Sequence, residues 1–108
     1  MLVVDWDRLN ELRTDIGEED FADVAVMFVA ELHETLDGLT PDDATAADFH
    51  FLRGSAANLG FDTLVQACAQ GEEACNKRKK PDIEAVRMAF AAAIMEVEPQ
   101  VPELASAA

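Results

Sequence analysis

From Asp5 to Val97 apolar residues recur every three or four positions with few breaks, and that rhythm limits the chain to helices. Residues 5–16 carry Trp6, Leu9, Leu12 and Ile16 on one face, and Gly17 ends the segment. Residues 18–39 form a longer amphipathic helix, with Phe21, Val24, Phe28, Leu32, Thr35 and Leu39 as its expected buried stripe. Glu18, Glu19 and Asp20 stand at its start, where the helix dipole favours negative charge. Thr40-Pro41-Asp42-Asp43 reads as the next helix start, capped by Thr40 or Asp43. That helix runs to Leu59 and stops at Gly60. Asp62 is the expected cap of a helix reaching Lys80, with Leu64, Cys68, Gly71 and Cys75 on its apolar line. It closes on Lys77-Arg78-Lys79-Lys80 before Pro81, a cation run that a helix C-terminus favours. Asp82 caps the last helix, with Ile83, Val86, Phe90, Ile94 and Val97 inward, and Pro99 ends it.

No segment alternates apolar and polar residues as a strand would. Long amphipathic helices joined by short connections pack as antiparallel neighbours. The expected fold is therefore all-α: an up-and-down antiparallel four-helix bundle with an additional short N-terminal helix. Residues 1–108 read as one domain, with the bundle in 5–98 and a flexible tail over 99–108.

Charge narrows the function classes. Twenty-two acidic against eight basic residues give a net charge of −14. Nucleic acid and anionic membranes bind clustered Lys and Arg, so neither is expected as a partner. No apolar run approaches the roughly 18 residues of a membrane span, and residues 1–5 lack the basic, then apolar, pattern of a secretory signal. A soluble cytoplasmic protein is expected. Cys68 and Cys75 would lie about 10 Å apart on one helix face, beyond disulfide reach. They read as small buried hydrophobes of a reducing compartment. His33 and His50 lack the Glu three residues earlier that di-iron bundles use, so no metal site is expected.

Residues 49–61 read Phe-His-Phe-Leu-Arg-Gly-Ser-Ala-Ala-Asn-Leu-Gly-Phe. On a helical wheel Leu52, Ala56 and Leu59 mark the core side, and His50 falls almost opposite. Small residues surround it: Ala46, Ala47, Gly54 and Ala57. Glycine in mid-helix costs up to about 1 kcal/mol relative to alanine. Carrying that cost beside an exposed histidine points to something approaching the ring closely. Arg53, one turn on, could neutralise an anion on His50. Phe51 flanks the histidine as an exposed apolar docking residue. Glu72 would reach a similar height on the next helix if the two pack antiparallel about Gly60–Asp62. A carboxylate there could hold one ring nitrogen and leave the other free as a nucleophile.

His50-Phe51-Leu52-Arg53-Gly54-Ser55-Ala56 followed by Leu59-Gly60 resembles the signature of histidine-containing phosphotransfer (HPt) domains, H-x-L-K-G-S-[SA]-x-x-[LI]-G. Over the third helix and into the fourth it is similar to the yeast-type phosphorelay intermediates. Arg53 stands where the family usually has Lys, which keeps the charge and changes its geometry. Family members similar to this chain carry a Glu or Gln 22 residues after the histidine, the position of Glu72.

The resemblance implies a monomeric phosphocarrier with no kinase activity. His50 would exchange a phosphoryl group with the aspartate of a response-regulator receiver domain, or take it from a sensor or hybrid histidine kinase. The chain itself would hold no cofactor, the receiver supplying Mg²⁺. Two other readings stay open. One is an acidic helical adaptor that keeps the fold without phosphorylation. The other is the phosphoacceptor domain of a chemotaxis-type kinase, against which Met1 and the Ala-rich end favour a free-standing carrier.

Overall fold

Helix ends form where a side chain or a glycine takes up the unpaired backbone groups. In the computed structural model, which describes residues 1–108, the helices are α1 (Trp6–Ile16), α2 (Glu18–Asp37), α3 (Ala46–Leu59), α4 (Asp62–Asn76), α5 (Ile83–Val97) and α6 (Pro102–Ala107). Asp5 caps α1 by accepting from the Arg8 amide, and Asp82 caps α5 by accepting from Ala85. Gly17, at φ +99°, ends α1 and begins α2 without an intervening loop.

Helices α2 to α5 follow one another as an antiparallel up-and-down bundle, and the chain is all-helical as expected. The widest interface is α3 on α4, and α1 packs across α2 and α3. Arg87 of α5 donates to the Leu36 and Leu39 carbonyls at 3.0 Å each, satisfying the free end of α2. The core runs through all six helices, from Leu9 and Leu32 to Leu52, Leu64, Val86 and Leu104. At about 1.5–3 kcal/mol for each fully buried large apolar side chain, this burial is the main force holding the bundle together.

Gly60 anchors the turn between α3 and α4. Its φ is +73°, and a Cβ there would come within 2.5 Å of the Asp5 carbonyl oxygen. The Asp5 amide in turn donates to the Gly60 carbonyl at 2.7 Å. Only glycine fits, and the N-terminal segment docks on it.

Several boundaries differ from the sequence expectation, each for a local reason. Helix α3 starts at Ala46, because Thr45 and Asp48 form a reciprocal capping box that satisfies two amides. Thr40 accepts from the Asp43 amide, but the resulting turn ends with the Ala44 amide on the Thr40 carbonyl. Asp62 is the first residue of α4 rather than its cap. Left-handed Gly60 and buried Phe61 make that turn, and Asp62 adds favourable charge within it.

Helix α4 stops at Asn76, and all four cations lie beyond its last turn. The Lys79 amide donates to Ala74 O at 2.8 Å and the Arg78 amide to Cys75 O at 3.1 Å, a Schellman ending. Arg78 occupies its left-handed position at φ +57°. On α2 the buried stripe is Phe21, Ala25, Val29, Leu32 and Leu36, with Val24, Phe28 and Thr35 only half-buried. Small Ala25 lets that stripe approach its neighbours, rotating the buried face off the larger side chains.

The end of the chain is folded, not frayed. Val101 and Leu104 are buried, and α6 packs against α2 and α5. Pro102 sits in the first turn, where its missing N–H costs nothing, so it starts a helix within the segment expected to be a flexible tail. Leu104→Ala is expected to cost about 2–5 kcal/mol, read as a lower urea midpoint. A truly frayed tail would leave the midpoint unmoved.

Candidate functional site

The face carrying His50 is built by one contact beneath it. Phe49 is fully buried on α3 and its ring lies against Gly71 of α4. A Cβ on Gly71 would sit 2.6 Å from that ring. With Phe49 and Gly71 in register, the next residue on each helix, His50 and Glu72, meet at the rim. The sequence placed Gly71 on the apolar line of α4 but did not pair it with Phe49. A lone glycine between Cys68 and Cys75 on a buried stripe is the signal that could have found it.

Leu52, Ala56 and Leu59 are buried on the core side of α3 and His50 stands opposite, its side chain 70% exposed. Glu72 is more enclosed, with its side chain 21% exposed. Arg53 lies between them. Its Nη2 is 3.0 Å from His50 Nδ1, and its Nη1 is 3.3 Å from Glu72 Oε2. Glu72 Oε1 lies 3.5 Å from the same Nδ1. Both charged side chains therefore converge on one ring nitrogen, while Nε2 has no hydrogen bond within the chain.

The two neighbours make opposite demands on Nδ1. Guanidinium only donates, so its contact needs a lone pair on Nδ1 and puts the neutral ring's proton on Nε2. Carboxylate only accepts, so a bond to Glu72 needs the proton on Nδ1. At 3.0 Å against 3.5 Å the arginine holds the nitrogen in this geometry, and Glu72 waits just outside hydrogen-bond range. Glu72 Oε2 is buried and close enough to Arg53 for an ion pair, yet it is misaligned and makes no hydrogen bond. The sequence anticipated Glu72 beside the ring. It did not anticipate Arg53 on Nδ1.

Around the ring the surface is low. Ala47, Gly54 and Ala57 are exposed and Ala46 is half-buried. Nothing lies within 4 Å of where a Cβ on Gly54 would stand. Phe51 is exposed on the same helix. His33, on α2, is exposed and enters no ion pair. Both cysteines are unpaired, and burial pushes the Cys68 thiol up to about 12, so it packs as a small hydrophobe. Cys75 Sγ reaches the Ala44 carbonyl at 3.6 Å, tying α4 to the loop before α3. No group of three or more His, Cys, Asp or Glu is arranged to hold a metal ion.

The Hpt domain family model matches residues 7–107. The chain belongs to the Hpt domain family. Comparison with curated proteins and with solved structures finds no match. Hpt domains are phosphocarriers of phosphorelays and interact with response-regulator receiver domains, so this Hpt domain is a phosphotransfer module of that general kind. No helix of it is long and apolar enough to cross a membrane.

Two glycines of this Hpt domain should respond in opposite ways to the same methyl group. Gly71→Ala forces the Phe49 ring out of place and should destabilise by about 1–3 kcal/mol. Gly54→Ala meets open space and should stabilise by up to about 1 kcal/mol. Chemical denaturation of both variants checks the pair, and equal shifts would contradict the packing described.

Proposed function

We propose that His50 is the phosphoryl acceptor of this Hpt domain and that its Nε2 is the reacting atom. The observation carrying this reading is the convergence of Arg53 and Glu72 on Nδ1, which leaves Nε2 of an exposed ring without a partner in the chain. In the proposed step the Nε2 lone pair attacks the phosphorus of a receiver's aspartyl phosphate. The acyl P–O bond breaks, and its electron pair stays on the aspartate carboxylate. The new N–P bond leaves a cationic ring that keeps its proton on Nδ1. The reverse step returns the group to a receiver aspartate, and a sensor or hybrid histidine kinase is the other expected donor. Because such transfer depends mostly on positioning and charge neutralisation, the receiver's Mg²⁺ and this chain's Arg53 divide the electrostatic work.

The resting contacts suit that sequence in one order. While Arg53 donates to Nδ1, Nε2 carries the proton and cannot attack. An arriving phosphoryl group offers Arg53 a stronger, charge-assisted partner. Its departure lets the proton settle on Nδ1, where Glu72 Oε1 can accept it. Gly54 leaves the open space, and Phe51, Ala46, Ala47 and Ala57 form the surface on which the receiver sits.

Incubation with a phosphorylated receiver should give an acid-labile, base-stable label. His50→Gln should abolish it and His33→Gln should leave it intact. Label persisting in the His50 variant would refute the assignment. The neighbours are tested on the chain alone by the ¹⁵N shifts of the His50 ring. Arg53→Ala should move the tautomer balance towards Nδ1–H, while Glu72→Gln should move it away. Arg53→Ala should also slow transfer tenfold or so, with Arg53→Lys restoring most of the rate. Unchanged ring shifts in both variants would reduce Arg53 and Glu72 to ordinary surface charges.

A further inference from the structure

Four of the eight basic residues of this −14 chain stand in one run, Lys77 to Lys80, outside any helix. Most cations of the molecule are already occupied. Arg8 pairs with Glu11, Arg13 with Glu18, Arg53 with Glu72 and Lys77 with Glu73. Lys80 pairs with Asp42, and Arg87 donates to the carbonyls at the end of α2. The hydrogen bond and charge of Lys77, with a smaller pull from the charge of Lys79, hold the Glu73 carboxyl below its ordinary range, and the 2.7 Å contact commits Lys77 to that neighbour. Arg78 and Lys79 remain with no ion pair and no side-chain hydrogen bond. Both line the same cleft of about 420 Å³ between the α2–α3 loop and the end of α4.

The cleft adjoins the His50 face. Ala46, one of its walls, lies one helical turn before His50, or about 6 Å along the axis. Cys75, another wall, lies one turn after Glu72. Its two sides are fastened by the Cys75–Ala44 contact and by the Lys80–Asp42 pair at 3.2 Å. Arg78 holds its place at a backbone cost. A left-handed non-glycine residue carries steric strain between its Cβ and the backbone that glycine would avoid. The free charge thus sits on a defined turn, not on a loose loop.

We propose that this cleft is a second docking element, which receives an acidic surface segment of the receiver partner and steers it onto His50. The proposal rests on the phosphotransfer reading above. An acidic segment beside the receiver's reacting aspartate would be repelled by a chain of −14 charge. Two unpaired cations in a cleft whose Ala46 wall lies one turn from the histidine supply local attraction beside the site. Such charge complementarity acts mainly on encounter and orientation.

The test uses the full chain with Arg78→Gly and Lys79→Gln combined. Glycine suits the left-handed position, so the double variant should keep the fold, checked by circular dichroism. Against a receiver that exchanges phosphate with the wild type, the variant should bind about tenfold more weakly at low salt, with little salt dependence left. The rate of transfer at saturating receiver should be unchanged. Arg78→Lys with Lys79→Arg keeps both charges and should bind as wild type. In a second arm, a hexaglutamate peptide should shift the amides of residues 42–46 and 75–80 in the wild type and not in the double variant.

Wild-type affinity in the charge-removed variant would overturn the proposal. So would hexaglutamate shifts located elsewhere, or inorganic phosphate giving the same shifts at equal concentration, which would make the cleft a small-anion pocket. A wild type that takes no label from any receiver would refute the phosphotransfer reading instead, and the peptide arm still decides the cleft.

Discussion

The Phe49 ring lying on Gly71 fixes the register of α3 against α4, and the site depends on that register. Neither residue has any part in chemistry. A side chain at position 71 would meet the ring at 2.6 Å, so the helices could keep this approach only by moving apart or sliding. Either movement separates His50 from Glu72, which now stand 3.5 Å apart with Arg53 between them. Packed cores resist such shifts because their voids are small and their side chains interdigitate. The positions of three exposed or half-exposed polar groups are therefore decided by a buried apolar contact one residue below them.

Charge then determines what this placement can do. The chain is strongly acidic, and most of its few cations are spent on structure, such as Arg87 at the end of α2. Arg53 is different because its two partners want different things from the same ring. A donor and an acceptor directed at one nitrogen cannot both be satisfied, so the site holds a choice between two tautomers. Lysine at this position would offer a compact ammonium on a flexible stem. Arginine offers a planar fork that spans Nδ1 and a Glu72 oxygen at once. The departure from the usual residue of the family signature is thus a change in how the ring is held, with the charge kept.

Much of this was legible in the sequence. Helical periodicity gave the architecture, and the wheel around Leu52, Ala56 and Leu59 turned His50 outward, because exposure on α3 follows from local geometry. Glu72 was found through the antiparallel relation of two helices joined by a short turn. What the sequence could not show depended on competition between similar signals. Thr40 and Thr45 are both good caps, and only the reciprocal bond to Asp48 decides for the second. Pro99 and Pro102 look alike as breakers, yet Leu104 has a buried place between α2 and α5 and draws a last helix into being. The Arg53 contact is a rotamer choice, which no spacing rule encodes.

Three local rules are broken on the α3–α4 pair and the turn that ends it. Gly54 gives up helix propensity in mid-helix with open space around it. Glu72 keeps a buried oxygen without a hydrogen bond. Arg78 takes a backbone conformation that suits glycine. Each departure costs stability, and none is needed to form the bundle. Alanine would serve α3 better at 54, glycine would end α4 better at 78, and an apolar residue would fill position 72 without an orphaned oxygen. Costs of this kind beside His50 and in the adjoining cleft fit the proposed face for a partner, where local consistency is given up for function.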